Sequence, residues 1–118
     1  MIHFVDQNKE QPFFLLWTTP LPHVSLQAPE RWVNYYVDKF GDEEPYTGNK
    51  GYMPCRYPHA TYAAMISYFD EQVGKLVDKL KQEGLYENTL IISLRTTDRR
   101  STAVAIPPGS TAADYSNR

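Results

Sequence analysis

Three segments of the chain carry a clear hydrophobic pattern. Residues 12–18 are apolar without alternation and rich in aromatic side chains, which is typical of a strand covered on both faces of a parallel sheet. In residues 61–83 apolar positions recur every three or four residues, which predicts an amphipathic helix with Thr61 as its N-cap and Gly84 as its end. Residues 89–92 predict a second buried strand. By the right-handed crossover rule, the two strands are expected to be parallel.

The segments between these elements contain turn residues and one further helix. Residues 19–28 form a loop at the carboxyl end of the first strand, which is where open α/β sheets bind ligands. Residues 29–40 predict a short helix that begins near Pro29 and ends at Gly41. Its buried side chains are expected to be Trp32, Tyr36 and Val37. Residues 41–59 predict a long loop of the kind that is usually functional or forms a lid.

The composition changes after residue 92. Thr, Ser, Ala, Pro and Arg replace the aromatic and aliphatic pattern, and no periodicity remains. The sequence therefore predicts two parts, a folded portion in residues 1–92 and a tail in residues 93–118 without regular structure.

Length and charge exclude several classes of protein. A chain of 118 residues allows one small domain with a thin margin of stability. The net charge of -2 is spread along the sequence, so neither a nucleic-acid partner nor a membrane partner is expected. The first residues lack the regions of a signal peptide, and Cys55 is the single cysteine.

Two blocks of sequence resemble the sulfatase family. Residues 12–23, which read PFFLLWTTPLPH, resemble the family pattern in which a buried strand enters a short Pro and His loop. Residues 62–74 and 84–92 resemble the helix and strand that precede the family's metal-binding Ser-Asp-Asn-Gly turn. The resemblance implies an α/β fold in which residues 1–92 are part of the α/β/α sandwich of the alkaline-phosphatase-like superfamily.

The resemblance stops where that turn should follow Ile92. If the last base of each codon from Ile92 onward is read with the first two bases of the next codon, synonymous codons permit F-S-S-D-N-G-P, which is the family string. The tail is therefore expected to be an out-of-frame translation, and the chain an internal fragment of a broken gene. The alternative is a natural disordered tail of low hydrophobicity.

The family resemblance also implies a reaction. Sulfatases hydrolyse sulfate esters with a formylglycine made in a Cys-x-Pro-x-Arg motif, beside a bound calcium ion. Cys55 is not expected to be that residue, because Pro is missing at the third position of its motif and Arg at the fifth. Asp98 does not match the metal-binding Asp. Calcium is thus expected in the intact enzyme but not in this fragment, which is expected to be inactive alone.

Four residues are candidates for the site. His23 matches the family histidine that contacts the sulfate group and assists proton transfer, and imidazole exchanges protons near neutral pH. The alternative is a loop histidine satisfied by the backbone. Lys50, Arg56 and Tyr57 are expected to border the pocket of a sulfated carbohydrate, unless they are ordinary solvated loop residues.

Other functions remain open at the level of sequence. The partner of the intact enzyme is expected to be a sulfated small molecule or carbohydrate, with an aryl sulfate as one possibility. A phosphonate or phosphodiester hydrolase with the same core is an alternative. A small sugar-binding module that uses Trp17, Trp32 and the Tyr-rich loop is another. Intact relatives are typically periplasmic or secreted.

Overall fold

A computed structural model describes residues 1–95 and 102–106 of the chain, in which helix is the main regular structure and there is little strand. The elements in chain order are α1 (Ile2–Asn8), α2 (Glu30–Phe40), α3 (Pro58–Gln82), a 3-10 turn (Tyr86–Asn88), β1 (Ile91–Arg95) and β2 (Thr102–Ile106). The described residues form two compact units: residues 14–76 with Met1, and residues 2–13 with the described residues from Val77 onward. None of the helices in the described residues has both the length and the apolarity to cross a membrane.

In the first unit, α2 confirms the helix predicted between residues 29 and 40. Gly41 ends it at a φ of 77°, and its N–H donates to the carbonyl of Val37 at 2.9 Å. Glycine tolerates this left-handed backbone, which explains why the helix ends there. The side chains expected to be buried, Trp32, Tyr36 and Val37, are half-buried.

Helix α3 begins earlier than the sequence predicts. It starts at Pro58, and Thr61 lies inside the helix with 6% of its surface exposed instead of capping it. Proline is favoured in a first helical turn because its φ is already helical and its missing N–H is not needed there. Ala60, Ala64 and Met65 of the same helix form the buried core of this unit.

The strand predicted in residues 12–18 is absent. These residues have no regular secondary structure in the described part of the chain. Phe14 is 84% exposed and Leu16 is 70% exposed, whereas Trp17 is half-buried and lies 5.4 Å from the ring of Phe69. A strand is defined by hydrogen bonds to a neighbouring strand, and the apolar run alone does not supply that neighbour.

In the second unit, Gly84 ends α3 as predicted. The N–H of Leu85 donates to the carbonyl of Leu80 at 2.9 Å, and the N–H of Gly84 donates to that of Lys81 at 3.1 Å, which is a Schellman motif. Helix α1 was not predicted from the sequence. An ion-pair chain joins Lys9 to Glu83 at 2.7 Å, Glu83 to Lys79 at 2.6 Å and Lys79 to Asp6 at 2.5 Å. Charged surface residues therefore connect α1 to the end of α3.

The described strands differ from the prediction in position and direction. β1 begins two residues later than expected and pairs with β2 in an antiparallel ladder, with Ile92 opposite Ala105. It is not buried, since Ile92 is 54% exposed and Leu94 is 66% exposed. Residues 102–106 were expected to be irregular, yet Thr-Ala-Val-Ala-Ile alternates β-branched residues with alanine, a pattern that suits a strand. The rest of the predicted tail, residues 96–101 and 107–118, lies outside the described residues.

Candidate functional site

His23 lies at the end of a tight turn that follows residues 12–18. The N–H of His23 donates to the carbonyl of Pro20 at 2.6 Å, and the N–H of Leu21 donates to the hydroxyl of Thr19 at 3.2 Å. The prolines and the Thr hydroxyl are ordinary turn chemistry. The turn leaves the side chain of His23 exposed, so a solute can reach it.

The ring of His23 is oriented by its own loop. Its Nδ1 lies 2.7 Å from the carbonyl oxygen of Val24. A carbonyl only accepts hydrogen bonds, so Nδ1 carries a proton in this contact. The other nitrogen, Nε2, is then a base in the neutral ring and a donor in the charged ring. This arrangement has the chemistry required to bind an anion or to transfer a proton through Nε2.

His23 opens into a cleft of about 370 Å³, a volume within the range of small-molecule sites. The cleft is lined by Pro20, Leu21, His23, Val24, Ser25, Gln27, Met53 and Met65. Five of these eight residues are apolar, and none is an Asp, Glu, Lys or Arg. Met65 comes from α3 and is 2% exposed.

The long loop reaches this cleft through Met53. The N–H of Met53 donates to the hydroxyl of Ser25 at 3.2 Å, and the side-chain amide of Gln27 donates to the sulfur of Met53 at 3.5 Å. Two residues of the His23 loop therefore hold the tip of the other loop. These three residues were not predicted as site residues from the sequence. The only sequence signal was an apolar residue among turn residues.

The rest of the long loop forms a small antiparallel clip. Tyr46 and Cys55 exchange two backbone hydrogen bonds of 2.9 Å. Gly48 turns the loop at a φ of 86°, and an added Cβ there would lie 3.1 Å from the carbonyl oxygen of Tyr52, so the turn has little room for a side chain. Cys55 is half-buried, with its sulfur 3.4 Å from the hydroxyl of Thr61.

The other three candidate residues are not part of the cleft lining. Arg56 donates to the backbone carbonyl of Glu43 at 2.7 Å, forms an ion pair with Asp42 and lies 4.4 Å above the ring of Tyr57. These contacts join Arg56 to the first part of the long loop, and the pocket role of Arg56 and Tyr57 stays a prediction. Lys50 is exposed, and its backbone N–H donates to the hydroxyl of Tyr46 at 2.9 Å.

Glu43 connects the loop to the start of α3. Its carboxylate accepts hydrogen bonds from the N–H of His59 at 2.8 Å and of Ala60 at 3.0 Å, and it lies 2.7 Å from Nδ1 of His59. Desolvation raises the pKa of Glu43, but the hydrogen bonds from Ala60 and His59 outweigh it, so its pKa is lowered. His59 thus belongs to the capped first turn of the helix.

Glu71 fixes α2 to α3. Its Oε2 accepts hydrogen bonds from Nε1 of Trp32 at 2.8 Å and from Arg31 at 2.5 Å, and its Oε1 lies 2.6 Å from Nζ of Lys75. The hydrogen bonds from Lys75, Trp32 and Arg31 lower the pKa of Glu71 to about 2. Glu71 thus holds Trp32 in place.

The described residues do not provide a site for calcium. Across residues 1–95 and 102–106, no three His, Cys, Asp or Glu side chains come together in a group that could hold a metal ion. Calcium requires several oxygen ligands around one point. Asp98 lies outside the described residues.

Comparison with known proteins gives one family match. The sulfatase family model matches residues 1–94. The chain is 29% identical over 118 aligned positions to an arylsulfatase of Klebsiella aerogenes, covering 73% of this chain and 25% of that protein. It is 25% identical over 111 positions to a sulfatase of Formosa agariphila, covering 74% of this chain and 22% of that protein. The chain thus spans about a quarter of the length of these curated relatives.

Proposed function

This chain belongs to the sulfatase family, and on that premise we propose that it is part of an enzyme that hydrolyses sulfate esters. Its contribution is the His23 loop, which binds the sulfate group and exchanges a proton with it through Nε2. The observation that carries this proposal is the contact between Nδ1 of His23 and the carbonyl of Val24, because it leaves Nε2 directed to other partners.

The intact enzyme supplies the remaining chemistry. The sulfatase family is alkaline-phosphatase-like and generally metal-dependent. We propose an α/β/α sandwich, a formylglycine nucleophile and a calcium ion for the whole protein, with export to the periplasm or the medium. When bound, the cation neutralises charge on the sulfate. The described residues of this chain do not fit that ion, so the roles assigned here are those of its own side chains.

His23 has a simple task in such a reaction. In its charged form, Nε2–H donates a hydrogen bond to a sulfate oxygen, which favours binding of the anion. The same proton can pass to the ester oxygen as the bond from that oxygen to sulfur breaks and a nucleophile supplied by the intact enzyme bonds to sulfur, so that the alcohol leaves in its neutral form. The contact with Val24 keeps the ring oriented during both steps.

A direct test uses the chain itself with [15N]-labelled histidine. Sodium sulfate is titrated at fixed pH and fixed ionic strength, and the ring signals of His3, His23 and His59 are followed by NMR. We expect the His23 signals to move in a saturable way, while those of His3 and His59 serve as controls. Equal movement of all three, or no movement of His23, would remove His23 from the site.

A second test addresses the reaction. We propose that the chain alone does not turn over 4-nitrophenyl sulfate, because the nucleophile and metal ligands are not among its matched residues. A version extended upstream and restored to the family reading frame after Ile92 is expected to hydrolyse it, and His23→Ala to reduce kcat by roughly a hundredfold. Faster turnover of bis(4-nitrophenyl) phosphate or a phenylphosphonate ester would favour the related hydrolase instead.

The frameshift belongs to the same proposal. The family match ends at residue 94, close to the position where the shifted reading permits the Asp-Asn-Gly string. Tail residues 93–118 are then the product of the wrong frame, and the gene is a broken sulfatase gene.

A further inference from the structure

The cleft beside His23 offers little to a polar ligand other than a single anion. Apart from His23, its lining contains two polar side chains, Ser25 and Gln27, and both already contact Met53. A sugar carries many hydroxyl groups, and each one that loses water without gaining a partner costs binding free energy. The five apolar side chains of the lining match an apolar group instead.

Met53 is the residue of this lining that combines exposure with a fixed position. Met53 is 61% exposed. A ligand that covers this side chain removes apolar surface from water, which contributes favourably to the binding free energy. The backbone of Met53 is fixed by Ser25 and its sulfur by Gln27. Methionine sulfur also makes favourable contacts with aromatic rings.

We propose that Met53 is a specificity-determining residue that selects sulfate esters whose organic group is aromatic. This inference rests on the proposed binding of sulfate by His23. The sulfate group contacts Nε2 of His23, and the ring of the ester lies against the side chain of Met53, with Met65 beneath it in the cleft. The two loops that Ser25 and Gln27 join thus contribute one half of the site each.

The chain carries three methionines and three histidines, which supplies an internal control for each group. We would label the methionine methyl groups and the histidine rings and titrate the full chain with four compounds: sodium sulfate, 4-nitrophenyl sulfate, glucose 6-sulfate and 4-nitrophenol. All three sulfates are expected to move His23. Only 4-nitrophenyl sulfate is expected to move both His23 and Met53, with Met1 as the unmoved control.

The outcomes separate this inference from the proposed function. If every sulfate moves His23 but 4-nitrophenyl sulfate leaves Met53 unmoved, the role of Met53 is wrong and the proposed function stands. Equal movement of Met53 by glucose 6-sulfate would also contradict the inference. If 4-nitrophenol moves Met53 while no sulfate moves His23, the cleft binds aromatic rings but the sulfate site is wrong, and the inference falls with it.

Two variants of Met53 measure how much its side chain contributes to the affinity for an aromatic sulfate ester. Met53→Gln keeps the length of the side chain but makes it polar, so the Kd for 4-nitrophenyl sulfate is expected to rise roughly three- to tenfold. Met53→Leu keeps an apolar surface and is expected to change it by less than about twofold. Neither should change the Kd for inorganic sulfate. An equal effect of both variants on all ligands would overturn the inference, and the wild-type titration decides it even if a variant is misfolded.

Discussion

The double hydrogen bond between Glu43 and the start of α3 makes a sharp prediction about stability. Glu43→Gln keeps one carbonyl oxygen as an acceptor but replaces the second with an amide that donates. The N–H groups of His59 and Ala60 can then no longer both be satisfied by this side chain. The substitution also removes a negative charge from the N-terminus of a helix, where such a charge is favourable.

The size of the effect follows from known capping energies. Loss of one capping hydrogen bond costs about 1 kcal/mol, and loss of the charge adds roughly 0.3 kcal/mol or more at a site in contact with solvent. We therefore expect Glu43→Gln to lower the free energy of unfolding by about 1 to 1.5 kcal/mol. Since the urea slope of a small protein is roughly 1.5 kcal/mol per molar, the midpoint should fall by about 0.7 to 1 M.

The measurement is urea unfolding followed by circular dichroism at 222 nm, and the control is Glu44→Gln at the exposed neighbouring position. The pKa of Glu43 in the folded state is below its ordinary value of 4.5. A lowered pKa stabilises the fold above pH 4.5, and this contribution disappears as the pH falls through the folded-state value. The loss of unfolding free energy caused by Glu43→Gln should thus become smaller below pH 4.5. His59, Arg56 and Asp42 are the same in both proteins, so the difference between them reports on residue 43.

Two results would refute this reasoning. One is a Glu43→Gln variant as stable at pH 7 as Glu44→Gln, because the carboxylate would then not cap the helix. The other is a deficit that keeps its size as the pH is lowered from 4.5 through the folded-state pKa of Glu43, because a protonated Glu43 should resemble Gln.

The other predictions concern separate features of the chain. Glu71→Gln should shift the fluorescence of Trp32, which loses a charged acceptor at 2.8 Å. It should also lower the free energy of unfolding relative to Asp70→Asn, and this difference in unfolding free energy should be lost as the pH falls from 4.5 toward 2. Gly84→Ala should destabilise by about 1 kcal/mol because of its φ of 68°, whereas Gly74→Ala, inside α3 with open space around its Cβ position, should stabilise by up to about 1 kcal/mol, both measured by thermal unfolding. Sequencing of the DNA across codons 92–95 should reveal a one-base displacement, and a verified continuous frame would contradict the broken-gene account.

The helices were predictable because their signals are local. α2 is bounded by Pro29 and Gly41, and Gly84 alone marks the end of α3. The start of α3 was missed because its cap is Glu43, a residue 15 positions before Pro58, and a pattern of neighbouring residues does not contain that contact.

The strands were harder for a physical reason. An apolar run such as residues 12–18 indicates that burial is favourable, but a strand also needs a neighbouring strand to which it can hydrogen-bond. β1 pairs with β2 in an antiparallel ladder, although the residues of β2 were predicted to belong to an irregular tail. Tertiary pairing thus decided the outcome, as it often does for β-strands.

The site was predictable only in part. His23 was predicted through its match to the sulfatase pattern of a strand followed by a Pro and His loop. Met53 was not, because its role depends on contacts with Ser25 and Gln27, about 26 to 28 residues away in the chain. The pocket role of Arg56 stays a prediction, and its ion pair with Asp42 could not be read from the sequence.

The exposed apolar side chains of residues 12–18 are expected to affect how the protein behaves at high concentration. Phe14 and Leu16 are exposed, and exposure alternates along residues 12–18, which suits the edge of a sheet. A segment of this kind is a template for pairing with the same segment of another molecule. Self-association should therefore rise steeply with concentration, and Leu16→Lys should suppress it in analytical ultracentrifugation while Lys50→Ala does not.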